Sequence, residues 1–540
     1  MSDYFGFDCG CKFKVIDGSG DIPKIDFSAN IETLNLECQR TWDLISEGNT
    51  KGCFQLESRL GQMMAKKLKP ENIEQLSGLI AILRPGCLES VRDGKSITNH
   101  YIDKKNGLES IDYFHTALEP ALKTTYGEMI YQEESMQIAH DIAGFDLQEA
   151  DMLRKAIGKK KPEEMAKLKK KFLTGSKQKN IVTEDQAEEI FSWIEKSQRY
   201  SFNKSHSISY AMNAYLSAYT KAHFSRIFFA SYLKFAKDKI DPQQEIKELA
   251  RNANEMGIDV RLPDLRNLNR HFFIKDKNIY FGLTDIKGVG DSVFKKILEL
   301  TAQKDISSLG YLQSISHILL NINSTAAKAL VGSGALDYFK KNRTEILFHY
   351  EILSSLTKKE LELFDALIAD KPTASIKPML AALLNEKITK KRIEPISNLI
   401  RSLENPPYSL TDKIEWLSDS ENSLLGVAIS CSKLDSYDIS MTNTNCKEFK
   451  TTLLSEKIIL AGEVSNVNII KTKKGKNPGQ EMAFVSVEDA YGLLDSIIFF
   501  PEQLETYKHH LFQGNVLIFI GNKTKTKDGL VVEKCFTPRS

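Results

Sequence analysis

"YSFNKSHSISYAM", residues 200–212, sets four hydrogen-bonding side chains in a row behind an aromatic pair and directly before an apolar helical pattern. Asn203, Lys204, Ser205 and His206 at such a junction leave three chemistries open: a helix cap, a metal site, or a cradle for an anion. One histidine with no thiol or carboxylate beside it makes a poor ligand set. Capping by Asn203 or Ser205 fits the residue types. A capped helix start also remains a place where donors and the helix dipole favour negative charge.

The helix that this stretch opens is the last of a long helical run. From Gln39 to about Lys237 apolar residues recur at helical spacing, as in "ENIEQLSGLIAIL", "MIYQEESMQIAHDIAGF" and "EDQAEEIFSWIEKSQ". Pro85–Gly86 in "LRPG" and Pro162 after "GKKK" punctuate it. The next segments change character. "NIYFGLTDIKGVG" reads as a short strand and a turn, followed by the helix "DSVFKKILELT". "IKGVG" before a helix, with "ALVGSGALDYF" some forty residues on, fits a helix–hairpin–helix unit, whose glycines let backbone N–H groups approach a DNA phosphate. An ordinary tight turn fits the same letters. Residues 340–450 read as charged helices with "ENPPYS" as a hinge. The last block holds about five β-branched strands in roughly 85 residues, the rhythm of an OB-type barrel that takes single strands on its open face, or of a small sandwich without a ligand.

At 540 residues the chain exceeds one core, and three or four domains are expected. A composition of 41% apolar and 27% charged residues is that of a soluble globular protein. No apolar run reaches membrane-spanning length, and "MSDYFGFDCGCKFKV" lacks the pattern of a signal peptide, so a cytoplasmic protein with no membrane partner is expected. Eight cysteines, mostly in apolar segments, make no disulfide framework. Net charge is only +2, but eleven Lys/Arg fall between Arg154 and Lys179 against Glu163 and Glu164. Such a run is a solvated helix face or a phosphate-facing one. Two further basic clusters, "KTKKGKNPGQ" and "GNKTKTKDG", sit in turns and raise the case for nucleic acid.

Five ordered segments carry a resemblance: "NTKGCFQLES" (49–58), "LIAILRPG" (79–86), "TYGEMIYQEESMQIA" (125–139), "ADMLRKAIGKKKPEEMAK" (150–167) and "FNKSHSISYA" (202–211). Together they resemble the fingers domain of the bacterial replicative DNA polymerase III alpha subunit, a C-family polymerase. The resemblance is strong over about residues 36–340 and good over 455–540. It implies a multidomain α+β architecture: an N-terminal extension or palm remnant (1–35), a large, mainly helical fingers domain (36–240), a helix–hairpin–helix domain (241–345), a helical connector (346–454) and an OB-fold domain (455–540).

By this resemblance Arg154, Lys155 and Lys159 face the triphosphate of an incoming dNTP, across from Asn203, Lys204, Ser205 and His206. Arg84 adds a phosphate or template contact, and Tyr126, Tyr131 and Gln132 line the nucleotide pocket, although core packing explains Tyr131 equally well. Lys155 departs from the second arginine common in the family, keeping the charge but losing the fork. Lys160, Lys161, Lys287, Gly288, Gly290, Lys473, Lys474 and Lys476 are the expected DNA contacts. "ELELF" (360–364) resembles the family's clamp-binding peptide, with Leu361, Leu363 and Phe364 as anchors for a sliding clamp, Glu standing where Gln is usual. Ordinary amphipathic packing is the competing account.

The family's catalytic palm holds two Mg2+ ions on three aspartates. No paired Asp-x-Asp occurs upstream of these segments, and Asp26 in "IPKIDF" reads as structural, so no catalytic residue is assigned and Mg2+ is expected on a palm- and PHP-bearing partner chain. Cys9 and Cys11 in "FDCGC" offer half a metal site, but no second cysteine pair follows within about 25 residues, so no metal site is assigned. The expected activity is template-directed DNA synthesis on primer–template DNA as part of a split enzyme, of bacterial or phage origin and inactive alone. The alternative is a non-catalytic DNA-binding or scaffold protein derived from such a polymerase.

Overall fold

The computed structural model describes residues 4–17, 24–28, 30, 32, 34–158, 162–197, 200–302, 305–386, 388–451, 457–472, 478–524 and 529–539. The chain forms two compact units, Met1–Phe228 and Phe229–Ser540.

The first unit is mainly helical. Its longest helix, Lys204–His223, starts where Asn203 as N-cap accepts from the His206 N–H at 2.8 Å. Ala211, Ala214, Ala218 and Ala222 run down one face with Tyr215 and Tyr219, and all are buried. Small side chains at this spacing let the helix pack closely on Ile73–Ile82. Ser207 Oγ crosses that interface to donate to the Ser77 carbonyl, 2.7 Å away. The fit is tight on the other side of Ile73–Ile82 as well, because any Cβ on Gly78 would collide with the Tyr101 hydroxyl. Helix Gln132–Ala143 begins where Glu134 reaches back to accept from the Ile130 and Tyr131 N–H groups, both at 2.8 Å. It ends at Gly144, whose φ of +68° suits a residue without Cβ. At the N-terminal end, strands Tyr4–Gly6, Lys12–Asp17 and Lys24–Asp26 form an antiparallel sheet, with Lys14 opposite Asp26. Asp26 is exposed, while Phe13 and Phe27 pack on Phe224.

In the second unit the expected short strand is Asn278–Tyr280, central in a three-stranded sheet, and the helix after "IKGVG" runs from Asp291 to Thr301. Helices occupy most of 343–425, including Arg343–Ser354, Lys358–Ile368 and Ile414–Leu425. The C-terminal strands close into a five-stranded barrel in the order Glu481–Asp489, Gly492–Phe499, Leu530–Phe536, Val516–Lys523, Lys457–Lys471. One pair in it is parallel, and helix Pro501–Tyr507 lies between the third and fourth strands in sequence. This is an OB-type fold, as the strand rhythm predicts. No helix among the described residues is long and apolar enough to cross a membrane.

Candidate functional site

Folding brings the five sequence segments onto one region of the first unit through a chain of direct contacts. The Tyr131–Phe202 bridge starts it: Gln132 N–H donates to the Phe202 carbonyl (2.9 Å) and Phe202 N–H to that of Ile130 (2.8 Å). The starts of helices 132–143 and 204–223 are therefore locked together. Phe202 then organises two cationic or ionisable side chains. The Arg84 guanidinium lies 3.1 Å from its ring centroid, and the His206 ring meets it edge-on at 5.3 Å. Burial holds the Arg84 pKa below its ordinary value. Beyond His206, Tyr210 joins Arg84, Gln55 and Ser58 in lining a cleft of about 180 Å3.

The other branch runs through Glu133. Its carboxylate accepts from Asn203 Nδ2 at 2.8 Å and from the Lys204 N–H at 2.9 Å. Asn203 and Glu133 thus take up the Lys204 and His206 backbone donors, and Lys204 Nζ, Ser205 Oγ and the His206 ring are the side-chain groups at this helix start. Ser205 and His206 are exposed. The neighbouring Gln132 Oε1 receives an Arg154 N–H at 3.4 Å, so Arg154 sits one residue away from the contact that holds Lys204. Asp151 occupies both cations of helix Leu147–Gly158, accepting from Arg154 at 2.7 and 2.9 Å and pairing with Lys155 at 2.6 Å. The Lys155 and Arg154 hydrogen bonds hold its carboxyl below the usual aspartate range.

Tyr131 and Tyr126 both pack against neighbours in the first unit. Tyr131 is 2% exposed, its hydroxyl 2.8 Å from Ser77 Oγ. Lys204 Nζ lies 5.6 Å from its ring centroid, so the ring supports Lys204 from below. Tyr126, with φ +57°, packs edge-on to Tyr101 while its hydroxyl accepts from Gln75. The segment 49–58 is fixed by a fully buried lysine: Lys221 Nζ donates to the Asn49 and Lys51 carbonyls at 2.8 and 2.7 Å. Glu133, Asp151 and Lys221 escape a sequence reading. Only Asp151 leaves a signal, three and four residues before Arg154 and Lys155 on a helix.

In the second unit Lys287, Gly288 and Gly290 are exposed on the hairpin before helix Asp291–Thr301, anchored by buried Ile286 and Val289. Gly288 has φ +96°, and a Cβ on Gly290 would meet nothing within 4 Å. The later glycines differ. A Cβ on Gly334 would strike the buried Arg343, which donates to the Gly332 carbonyl at 3.0 Å and pairs with Asp337 and Glu421 at 2.7 and 2.8 Å. Gly334 there is a packing requirement.

The "ELELF" stretch is helical. Residues 360–364 lie inside helix Lys358–Ile368, capped by Thr357 and Glu360, and Phe364 is 0% exposed. Arg392 binds the Glu360 carboxylate at 2.8 and 2.9 Å. Phe364 and Ile368, one turn apart, are both buried, while Leu361 and Leu363 are half-buried. Lys159, Lys160, Lys161, Lys473, Lys474 and Lys476 lie outside the described residues.

Among the described residues no cluster of carboxylates fits a pair of Mg2+ ions; the one group of three or more metal-ligating side chains is Cys9, Cys11, Cys38 and His223. Cys9 and Cys11 are therefore not the isolated thiols that sequence spacing suggests, because Cys38 and His223 arrive from distant segments.

Residues 16–180 match the bacterial DNA polymerase III alpha subunit finger domain, and residues 257–346 match a helix-hairpin-helix motif. The DNA polymerase III subunit alpha of Aquifex aeolicus (strain VF5) is 32% identical over 519 residues, covering 94% of this chain and 40% of that protein. That of Borreliella burgdorferi is 30% identical over 504 residues (92% and 41%), and that of Escherichia coli O157:H7 29% over 514 residues (92% and 41%). The chain thus spans about two fifths of the length of these curated relatives.

Proposed function

For a chain that belongs, as a portion, to the DNA polymerase III alpha family, we propose that the first unit binds the triphosphate of an incoming dNTP during template-directed DNA synthesis. The observation that carries the reading is the Arg154–Gln132 and Glu133–Asn203–Lys204 relay, which sets two groups of cationic and hydroxyl side chains around the start of one helix. Arg154 supplies a planar fork and Lys155, Lys159 and Lys204 mobile charges; Ser205 and His206 donate to phosphate oxygens. Asn203, Gln132 and Tyr131 position these groups, and Tyr126 steadies the packing behind them. Arg84, on Phe202, faces phosphate or template. Asp151 is the ligand's stand-in, a carboxylate that a phosphate displaces.

Primer–template DNA binds through phosphate contacts to the Lys287–Gly288–Gly290 hairpin and to Lys160, Lys161, Lys473, Lys474 and Lys476. The barrel's open face takes single-stranded template. The work is cytoplasmic, in a bacterial cell or a phage-infected host. Mg2+ is held by palm aspartates supplied by polypeptide outside these 540 residues, such as a second, palm- and PHP-bearing chain, since no carboxylate cluster among the described residues fits it. This chain's residues bind, orient and neutralise.

Binding of dNTP and of primer–template to the purified chain, followed by primer extension with and without a palm-bearing polypeptide, tests the reading. Expected are DNA and nucleotide binding alone and extension only with the palm. DNA binding without any nucleotide binding, insensitive to Arg154→Ala and Lys204→Ala, points to a non-catalytic DNA-binding protein instead.

A further inference from the structure

Helix 204–223 ends in a second polar constellation that the nucleotide reading does not use. Its last residue, His223, faces three thiols: Nε2 is 3.3 Å from Cys9 Sγ and 3.7 Å from Cys38 Sγ. With Cys11 Sγ, all four ligand atoms lie within 4.8 Å of one another. Zinc–sulfur bonds of about 2.3 Å and zinc–nitrogen bonds of about 2.0–2.1 Å put tetrahedral ligand atoms roughly 3.4–3.8 Å apart, so the cluster needs little adjustment to close on an ion.

The surroundings prepare each ligand for that role. His223 Nδ1 is 2.9 Å from the Tyr219 carbonyl, a bond that requires the proton on Nδ1 and leaves the Nε2 lone pair facing the thiols. Thiols are weak donors, so without a metal this buried nitrogen is poorly satisfied. Asn35 Nδ2 donates to Cys11 Sγ at 3.8 Å, the contact that steadies a metal thiolate. Cys38 occupies the N-cap position of helix Gln39–Ser46 without a side-chain cap bond. Cys9 and Cys11 flank Gly10, whose φ of +83° closes a turn held by Phe7 N–H to the Cys11 carbonyl (2.9 Å) and Gly10 N–H to that of Phe7 (2.9 Å). Phe7 and Tyr219 cover the imidazole, with ring centroids at 4.8 and 4.1 Å, and exclude water.

We propose that Cys9, Cys11, Cys38 and His223 bind one zinc ion in a closed, structural site. Three soft sulfurs and one imidazole in tetrahedral array select zinc over hard cations such as Mg2+, and with no open position the ion does no chemistry. Binding releases the three thiol protons to solvent. The ion would tie the N-terminal sheet and helix 39–46 to the final turn of helix 204–223, fixing from behind the helix whose first turn carries Lys204, Ser205 and His206. The inference does not depend on the nucleotide reading.

The full chain, purified under reductant without chelator, is expected to carry about one zinc by elemental analysis. Co2+ exchanged into it should give the intense visible bands of a tetrahedral ion and a sulfur-to-metal charge-transfer band sized for three thiolates. The Cys9→Ser/Cys38→Ser double variant should lose the metal. His223→Cys, which swaps one ligand for another, should keep it, and chelator should lower the Tm reversibly. Zinc near zero after refolding with Zn2+, a weak octahedral Co2+ spectrum, a Cys9–Cys38 disulfide under the same reductant, or full zinc retention by the double variant would each overturn the proposal. The wild-type Co2+ spectrum decides the matter even if the serine variant fails to fold.

Discussion

The two ends of helix 204–223 are built on opposite principles. At its start the Lys204 and His206 backbone donors are taken up internally by Glu133 and Asn203, while Ser205 and His206 stand exposed and Arg154 and Lys155 pair with Asp151. At its end the polar groups are buried and converge inward: Lys221 on two carbonyls, His223 on three thiols. Exposed charge on an exchangeable partner is what a ligand site needs, because the partner can be traded for substrate at little cost. Buried charge held by interior carbonyls instead fixes geometry, because breaking it strands groups away from water. On the proposed reading, the contrast separates residues that meet a ligand from residues that hold those in place.

The sharpest way to break this division is at Lys221. Lys221→Met keeps most of the stem and removes the ammonium, leaving the Asn49 and Lys51 carbonyls with a lost partner in the interior. The expected loss is about 3 kcal/mol or more in urea unfolding. An unchanged midpoint would mean that segment 49–58 is held by something else.

Arg154→Ala probes the other end. It removes a side chain whose contacts here are to a neighbouring carboxylate and one glutamine, so folding stability should move by less than about 0.5 kcal/mol. Nucleotide binding, read by calorimetry, should weaken about 10- to 100-fold. Arg154→Lys should recover part of that loss, since charge returns without the fork.

Adjacent carboxylates allow a pH test of the same contrast. Glu133 reaches the helix start, whereas Glu134 is buried, and burial pushes its pKa up to about 8 against the two backbone N–H groups that favour the ion. A raised carboxylate reverses the usual sign. Its contribution is fully present below the unfolded value near 4.5 and is lost as pH rises toward 8. Glu134→Gln should therefore flatten the fall in stability between pH 5 and 8 by on the order of 2 kcal/mol, measured as urea midpoints at each pH. A variant whose profile parallels the wild type would show Glu134 ionised across that range.

Local signals carried much of this architecture and failed where distance entered. The Asn203 cap, the helix after "IKGVG" and the five barrel strands each follow from residue types within a few positions. In "ELELF" the residues Leu, Leu and Phe suit either a pocket on a partner or a helix face. The capping pair Thr357 and Glu360 and the Phe364–Ile368 spacing were the local signs of the helix. Tyr131 was ambiguous for the same reason, since an aromatic beside a helix start packs or stacks equally well. The thiol cluster was illegible in principle: Cys38 stands 27 residues beyond Cys11 and His223 a further 185 beyond that. No spacing rule reaches that far.

Asp151 gives the smallest effect and the finest test. It accepts from both cations of the Arg154–Lys155 pair and is exposed enough for water to compete. If this carboxylate occupies the place a phosphate takes, Asp151→Asn removes a competitor and nucleotide binding should tighten by about two- to threefold at low ionic strength. Added salt should erase the gain, because the exposed competition is screened. If Asp151 instead orients Arg154 for the ligand, the same substitution weakens binding at every salt concentration. The sign of the change, more than its size, then says whether the carboxylate is traded for the ligand or belongs to the fixed part of the site.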